Sequence, residues 1–326
     1  MVDFSIFGDY QNPVEFNFST AEGFSSQLRW TSQRINIFYA RTPRVESIAA
    51  REFRGFFATV FAQNMQVCSA DAEALSEALT AAADIVDYLT EQARLENERR
   101  QKVRDFAAQH DDFSDHVRDF FTGVDVPPNL TPAEPPPPQL LRLPLTRQRQ
   151  QDRSIRGSSG GISAADPKDL ISAAQVLGEA AAQVPSGSVL AGWFDDFTSQ
   201  CKYGTVEVGD LFVQLDRWRG LNDGDVEWLH AVAKAFQADG SGVITLPNSA
   251  LRAALRAAGT PLWRTDLDIT SPGLSGIDPR TGYLEDPINS ATGNFIEPET
   301  DLAFAAASSP LVLSRMYNSI QAVRGQ

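Results

Sequence analysis

The residues whose types could do chemistry are few. His110-Asp-Asp-Phe-Ser-Asp-His116 gathers imidazoles and carboxylates, the donors that hold a divalent cation. The two imidazoles stand six residues apart and no neighbouring element supplies a defined third ligand, so the run reads as a solvated helix end. Gly157-Ser-Ser159-Gly-Gly161 spells the Gly-x-Ser-x-Gly pattern of a hydrolytic serine. That serine needs a strained strand-to-helix turn, and here it lies among linker residues with no strand before it. His230 reads as a partly buried helical residue. Cys68 and Cys201 are too few for a disulfide scaffold and read as free thiols. There is no Walker loop and no dinucleotide fingerprint, nor an acid–base pair with a defined context. The expectation is a chain that is not an enzyme, with no catalytic residue, cofactor or metal.

Composition agrees with a carrier. The 326 residues hold 28 Lys and Arg against 42 Asp and Glu, a net charge of −14. Nucleic acid and anionic membranes both demand a positive footprint, so neither is an expected partner. Length allows two or three domains. Arg far outnumbers Lys and Ala is abundant, the balance of a GC-rich, actinobacterial-type genome. No stretch approaches the roughly 20 apolar residues of a membrane span. Met1 to Tyr10 is acidic and lacks the layout of a secretory signal, so export, if it occurs, uses a route other than the general secretory one.

The elements that would position any site are mostly helical. Leu75, Leu79, Ala82, Val86, Leu89 and Ala93 step by fours and threes along one helix face. Ser69, followed by Asp71 and Glu73, is the expected cap of that helix. Phe53, Phe57, Val60, Phe61 and Met65 line a helix before it. Another runs near Phe24 to Ala40, and Pro43 is expected to separate it from its successor. Glu91 to Arg100 alternates in charge and reads as a solvated face. Val126 to Ala165 carries the Pro135–Pro138 run and the Gly/Ser stretch, a linker that buries no core. Residues 166–259 form a second helical block, in which Trp218-Arg-Gly220 is expected to end the helix from Val208. From 263 to 300 the chain is rich in Gly, Pro, Asp and Thr, and Leu311 to Tyr317 reads as a strand. Acidity belongs to the helical blocks, with net −8 over residues 1–125 and −5 over residues 166–259.

Within the second block, Gln237 to Asn248 resembles the twelve-residue loop of an EF-hand. Asp239 and Ser241 take the third and fifth places, Gly242 the sixth and Ile244 the eighth. A twin starts at Ser199, with Gly204 sixth, Val206 eighth and Asp210 twelfth, 38 residues earlier. The resemblance implies two loops side by side, joined through their eighth places. Gln237, Ser199 and Asn248 stand where the family has carboxylates, so the pair is read as an EF-hand-like fold without useful calcium binding.

Asp286-Pro-Ile-Asn-Ser-Ala291-Thr-Gly-Asn-Phe295, then Asp301-Leu302, then Pro310-Leu-Val-Leu-Ser-Arg315-Met-Tyr317-Asn-Ser319 resembles the entry segment of RHS/YD-repeat proteins. That resemblance implies the start of a hollow β-shell enclosing a C-terminal toxin. Phe53-Arg54-Gly55, with Phe61 and the long helix after it, resembles the Trp-x-Gly hairpin of WXG-type proteins exported by type VII secretion. The apolar texture on both sides of Gly55 places it within a helix.

Together these give a mainly α, multi-domain chain of helical bundles with a short β segment at the C-terminus. The divisions are a WXG-like secretion or partner module (1–125), a linker (126–165), an EF-hand-like helical domain (166–262), and a connector with the start of the RHS shell (263–326). The expected function is non-catalytic export and packaging of an RHS-family polymorphic toxin, secreted by a type VII-like route. Its partners would be a helical secretion partner or chaperone and the rest of the shell and toxin. Phe53, Gly55, Phe56, Phe57 and Phe61 are the expected partner-binding residues. Two other classes stand beside it: an intracellular adaptor using the EF-hand-like groove, and a metal hydrolase around His110 and His116.

Overall fold

A computed structural model describes residues 7–110, 135–141 and 161–267, and four strands between 283 and 318. The chain is mainly α. Helix α1 (Phe18–Ala49) opens on Asn17, whose side chain accepts from the Thr20 N–H at 3.2 Å. Its apolar stripe, Phe24, Leu28, Ile35 and Phe38, is buried as the periodicity predicts.

Pro43 does not end this helix; it lies inside α1. Proline removes the N–H that would bond to the Tyr39 carbonyl four residues back. The Thr42 hydroxyl donates to that carbonyl instead, at 2.8 Å, so the acceptor stays satisfied.

A two-residue strand, β1 (Arg54–Gly55), then leads into α2 (Phe56–His110), a helix of 55 residues. Gly55 is therefore at the turn of the hairpin and not within a helix, with φ at +89°. The two helices expected around Ser69 are one. Ser69 caps nothing; its hydroxyl shares a hydrogen bond with Thr42 at 3.1 Å. Packing against α1 carries α2 through that weak local signal.

The chain resumes in β2 (Gln139–Leu140) and β3 (Ile162–Ala165), followed by α3 (Pro167–Ala181), which Asp166 caps with Pro167 in the first turn. Next come α4 (Gly187–Gln200), β4 (Val206–Glu207), α5 (Leu211–Asp239), β5 (Ile244–Pro247) and α6 (Asn248–Ala257). Helix α5 runs straight past Trp218-Arg-Gly220, which ends nothing. Two small sheets tie these elements together. In one the order is β1-β3-β5, both pairs antiparallel; in the other β2 and β4 run parallel. So the supposed linker is pinned at two places: Leu141, within it, and Ala165, its last residue, are fully buried. The Gly157–Ser159 run lies outside the described residues.

One hydrophobic core spans residues on either side of that linker, from Phe24 and Leu79 to Trp218 and Leu255. Helix α1 packs on α2, α3 and α4, and α5 packs on α2 and α3. The described residues of the two blocks, 7–110 and 166–262, thus meet around a common interior. No helix among the described residues is long and apolar enough to cross a membrane.

Beyond residue 267, β6 (Tyr283–Leu284) pairs with β7 (Ile288–Asn289), and β8 (Ile296–Phe304) pairs antiparallel with β9 (Leu311–Asn318). The strand read at Leu311–Tyr317 is β9, and its neighbour β8 carries Asp301-Leu302.

Candidate functional site

Three of the predicted partner-binding aromatics converge on Trp228 of α5 in the same chain. Phe57 and Phe61 face Trp228 with ring centroids 6.0 and 6.1 Å away, and Phe53 lies at 6.5 Å. Phe53, Phe57, Phe61 and Trp228 are all buried. Phe56 is half-buried, edge-on to Trp263 at 6.5 Å and covered by the Arg252 guanidinium at 5.0 Å. Gly55 sits at the surface, yet a Cβ there would lie 2.4 Å from the Ile162 carbonyl oxygen. The apolar surface read as a groove for a foreign helix is occupied from within. Spacing showed that this face must be covered; it carried no information on whether the cover lies in the same chain.

The two EF-hand-like loops do not form a pair. They lie at opposite ends of α5, whose 29 residues span about 43 Å. Val206 at one eighth place pairs with Gln139, and Ile244 at the other pairs with Ala165. Gln237 and Asp239 are still helical. Asn248, at the twelfth place, is buried and accepts from the Ser163 hydroxyl at 2.8 Å. In the earlier loop, Asp210 accepts from Gln214 at 2.6 Å and the Cys201 thiol donates to the Asn17 carbonyl at 3.4 Å. Asn248, Asp210 and Cys201, at would-be ligand places, are therefore committed to the fold. No group of three or more His, Cys, Asp or Glu that could hold a metal occurs among the described residues. The metal-hydrolase reading rests on His110 and His116: His110 is the last residue of α2, and His116 lies outside the described residues.

A cluster that the spacing left unread lies where α2, α5 and the segment after α6 meet. Asn64, Cys68 and Asp71 rise along one face of α2 at steps of four and three, among apolar residues. The Cys68 thiol donates to Asn222 of α5 at 3.3 Å. Arg264 enters from beyond α6 with no exposed side-chain surface; one guanidinium nitrogen bonds to Asp225 and Nε stands 3.7 Å from Asp71 Oδ2. Burial pushes the Cys68 thiol up to about 12 and the Asp225 carboxyl up to about 6, the latter opposed by Arg264. A thiol held neutral is no nucleophile. The signal for this cluster was a polar stripe interrupting an apolar face, with its partners far away in sequence.

The charged face expected along Glu91–Arg100 is only partly solvated. Glu96 and Arg99 are buried, and Glu96 accepts from Arg99 at 2.8 Å and from Arg100 at 2.9 Å. Those arginines, with Arg104, then donate to backbone carbonyls of Phe7, Asn12 and Tyr10. The N-terminal segment is thereby clasped along α2, with Phe7 and Tyr10 packed on Val103 and Phe106. An open cleft of about 360 Å³ between Pro13, Arg100 and Tyr203 carries charges of both signs.

Residues 285–326 match the family model described as a domain of unknown function, DUF6531. The match takes in the whole run from Asp286 to Ser319 and strands β7, β8 and β9. No curated protein and no solved structure matches the chain.

Proposed function

We propose that this chain is the non-catalytic export and packaging region of an RHS-family polymorphic toxin: a helical body that delivers, with the start of a β-shell behind it. The observation that carries this reading is the coincidence of the Asp286–Ser319 pattern with the family match over residues 285–326. Support comes also from the α1–α2 hairpin, turned at Phe53-Arg54-Gly55 as a WXG-like hairpin would be. Because Phe53, Phe57 and Phe61 are covered, a helical secretion partner would meet the outer hairpin face. There Trp30 and Ile37 stand seven residues apart on α1, 42% and 41% exposed.

An export assay tests the reading. The full chain is expressed in a host with a working type VII apparatus and in the same host lacking its motor ATPase. The chain is expected in the medium of the first alone. Retention in both hosts, or release from both, overturns it.

A further inference from the structure

We infer that Asp71, Asp225 and Arg264 form a proton-dependent latch that holds the connector 260–267 in the seam between α2 and α5. The connector is the covalent link between the helical body and the strands after residue 283, so whatever holds it sets how firmly the two are joined. This inference does not rest on the export reading.

The connector is held first by its backbone. Asn64 donates to the Leu262 carbonyl at 3.2 Å and accepts from the Arg264 N–H at 3.0 Å, so both ends of one side-chain amide grip it. Seven residues along α2, Asp71 accepts from the Leu267 N–H at 3.4 Å. Between these grips the Arg264 side chain turns inward, where it is shared by two carboxylates from two different helices. Its Nε and Nη2 atoms have no hydrogen-bond partner, so the guanidinium is held mainly through its bond to Asp225. Opening the connector would withdraw the cation from both acids at once.

The charged groups that face Asp225 are Arg264 from the connector and Asp71 from α2; Cys68, one turn before Asp71, faces Arg264. A carboxylate this deeply buried, sharing the Arg264 cation with a second carboxylate, takes up a proton more readily than one in water. That agrees with the rise of Asp225 to about 6. With the connector open, Asp225 meets water and returns to its ordinary value of 3.8. The closed form therefore binds more protons between those two values, and closure strengthens as the pH falls through them. Protonation also removes the repulsion between Asp225 and Asp71, while Asp225 still accepts the Arg264 bond through its carbonyl oxygen and Asp71 keeps the charge of Arg264. The latch tightens in acid and loosens at neutral and alkaline pH.

Hydrogen-exchange protection factors of the connector amides, Arg264 and Leu267 among them, measure the closed-to-open ratio after correction for intrinsic rates. In the full chain they are expected to rise about tenfold from about pH 7.5 to about pH 5. Asp225→Asn is expected to hold the connector at the acid level at both pH values, because an amide is neutral throughout. Equal wild-type protection at the two pH values overturns the latch. So does a wild-type pH response that survives in Asp225→Asn. Circular dichroism of the variant checks its fold; should it not fold, Asp225→Ser serves in its place, with the same flat profile expected.

Discussion

Replacing Gly55 by Ala perturbs the point where the turn of the N-terminal hairpin pairs with strand β3. Gly55 has φ at +89°, a region in which an L-residue pays about 1–2 kcal/mol. The added Cβ would stand 2.4 Å from the Ile162 carbonyl oxygen and 3.0 Å from Ser163 Cα, both backbone atoms of β3. A carbon–oxygen contact settles near 3.3 Å, so β1 and β3 must part by roughly 1 Å. That opens the pairing of Gly55 with Ser163 and stretches the 3.2 Å bond from the Phe57 N–H to the Ser163 hydroxyl. Two hydrogen bonds at about 1 kcal/mol each bring the expected loss to about 3–4 kcal/mol. Urea unfolding of the full chain reads this directly. The matched control is Gly220→Ala in the interior of α5, where an added Cβ meets nothing within 4 Å. There, removing glycine's backbone freedom is expected to stabilise by about 0.5–1 kcal/mol. A Gly55→Ala loss below about 1 kcal/mol, or one no different from the control, would refute the reasoning.

Two further outcomes follow from the buried polar groups. Burial raises both thiols, Cys68 to about 12, so a thiol reagent at mildly alkaline pH should leave the native chain unmodified and label both cysteines only in denaturant. Labelling of Cys68 faster than global unfolding would contradict its placement. At Glu96 burial alone would raise the carboxyl, but hydrogen bonds from Arg99 and Arg100 outweigh it and the net direction is down. Its stabilisation is thus complete above the ordinary value of 4.5 and is lost as the pH falls through the lowered one. Glu96→Gln should cost about 1.5–3 kcal/mol at neutral pH, and in urea unfolding its gap from wild type should narrow as the pH falls below the ordinary carboxyl value. A gap that stays constant with pH would mean that the clasp draws nothing from the charge.

The helical faces were legible because their cause is local. Leu75, Leu79, Ala82, Val86, Leu89 and Ala93 recur at the helical period, and every one is fully buried. Phe53, Phe57 and Phe61 were legible as a face that needs a cover. Helix ends were read less well. Pro43 and Gly220 are breakers by propensity, worth about 3 and about 1 kcal/mol respectively. Packing along both sides of α1 and α5 outweighs them, and at Pro43 the Thr42 hydroxyl satisfies the freed carbonyl. The EF-hand-like pair failed on distance: a twelve-residue pattern says nothing of what the loop pairs with, and here each loop met a different strand.

Sequence by itself determined that this is an acidic, mainly helical chain with two apolar-faced blocks and a C-terminal β element, because periodicity and charge are properties of neighbouring residues. Only the tertiary structure decided what those faces meet. Trp228 covers Phe57 and Phe61, Arg264 enters between Asp71 and Asp225, and β3 joins Gly55 to β5. Each of these pairs residues more than 35 positions apart in the chain, where no spacing rule operates and the choice falls to what closes one shared core at least cost in buried charge.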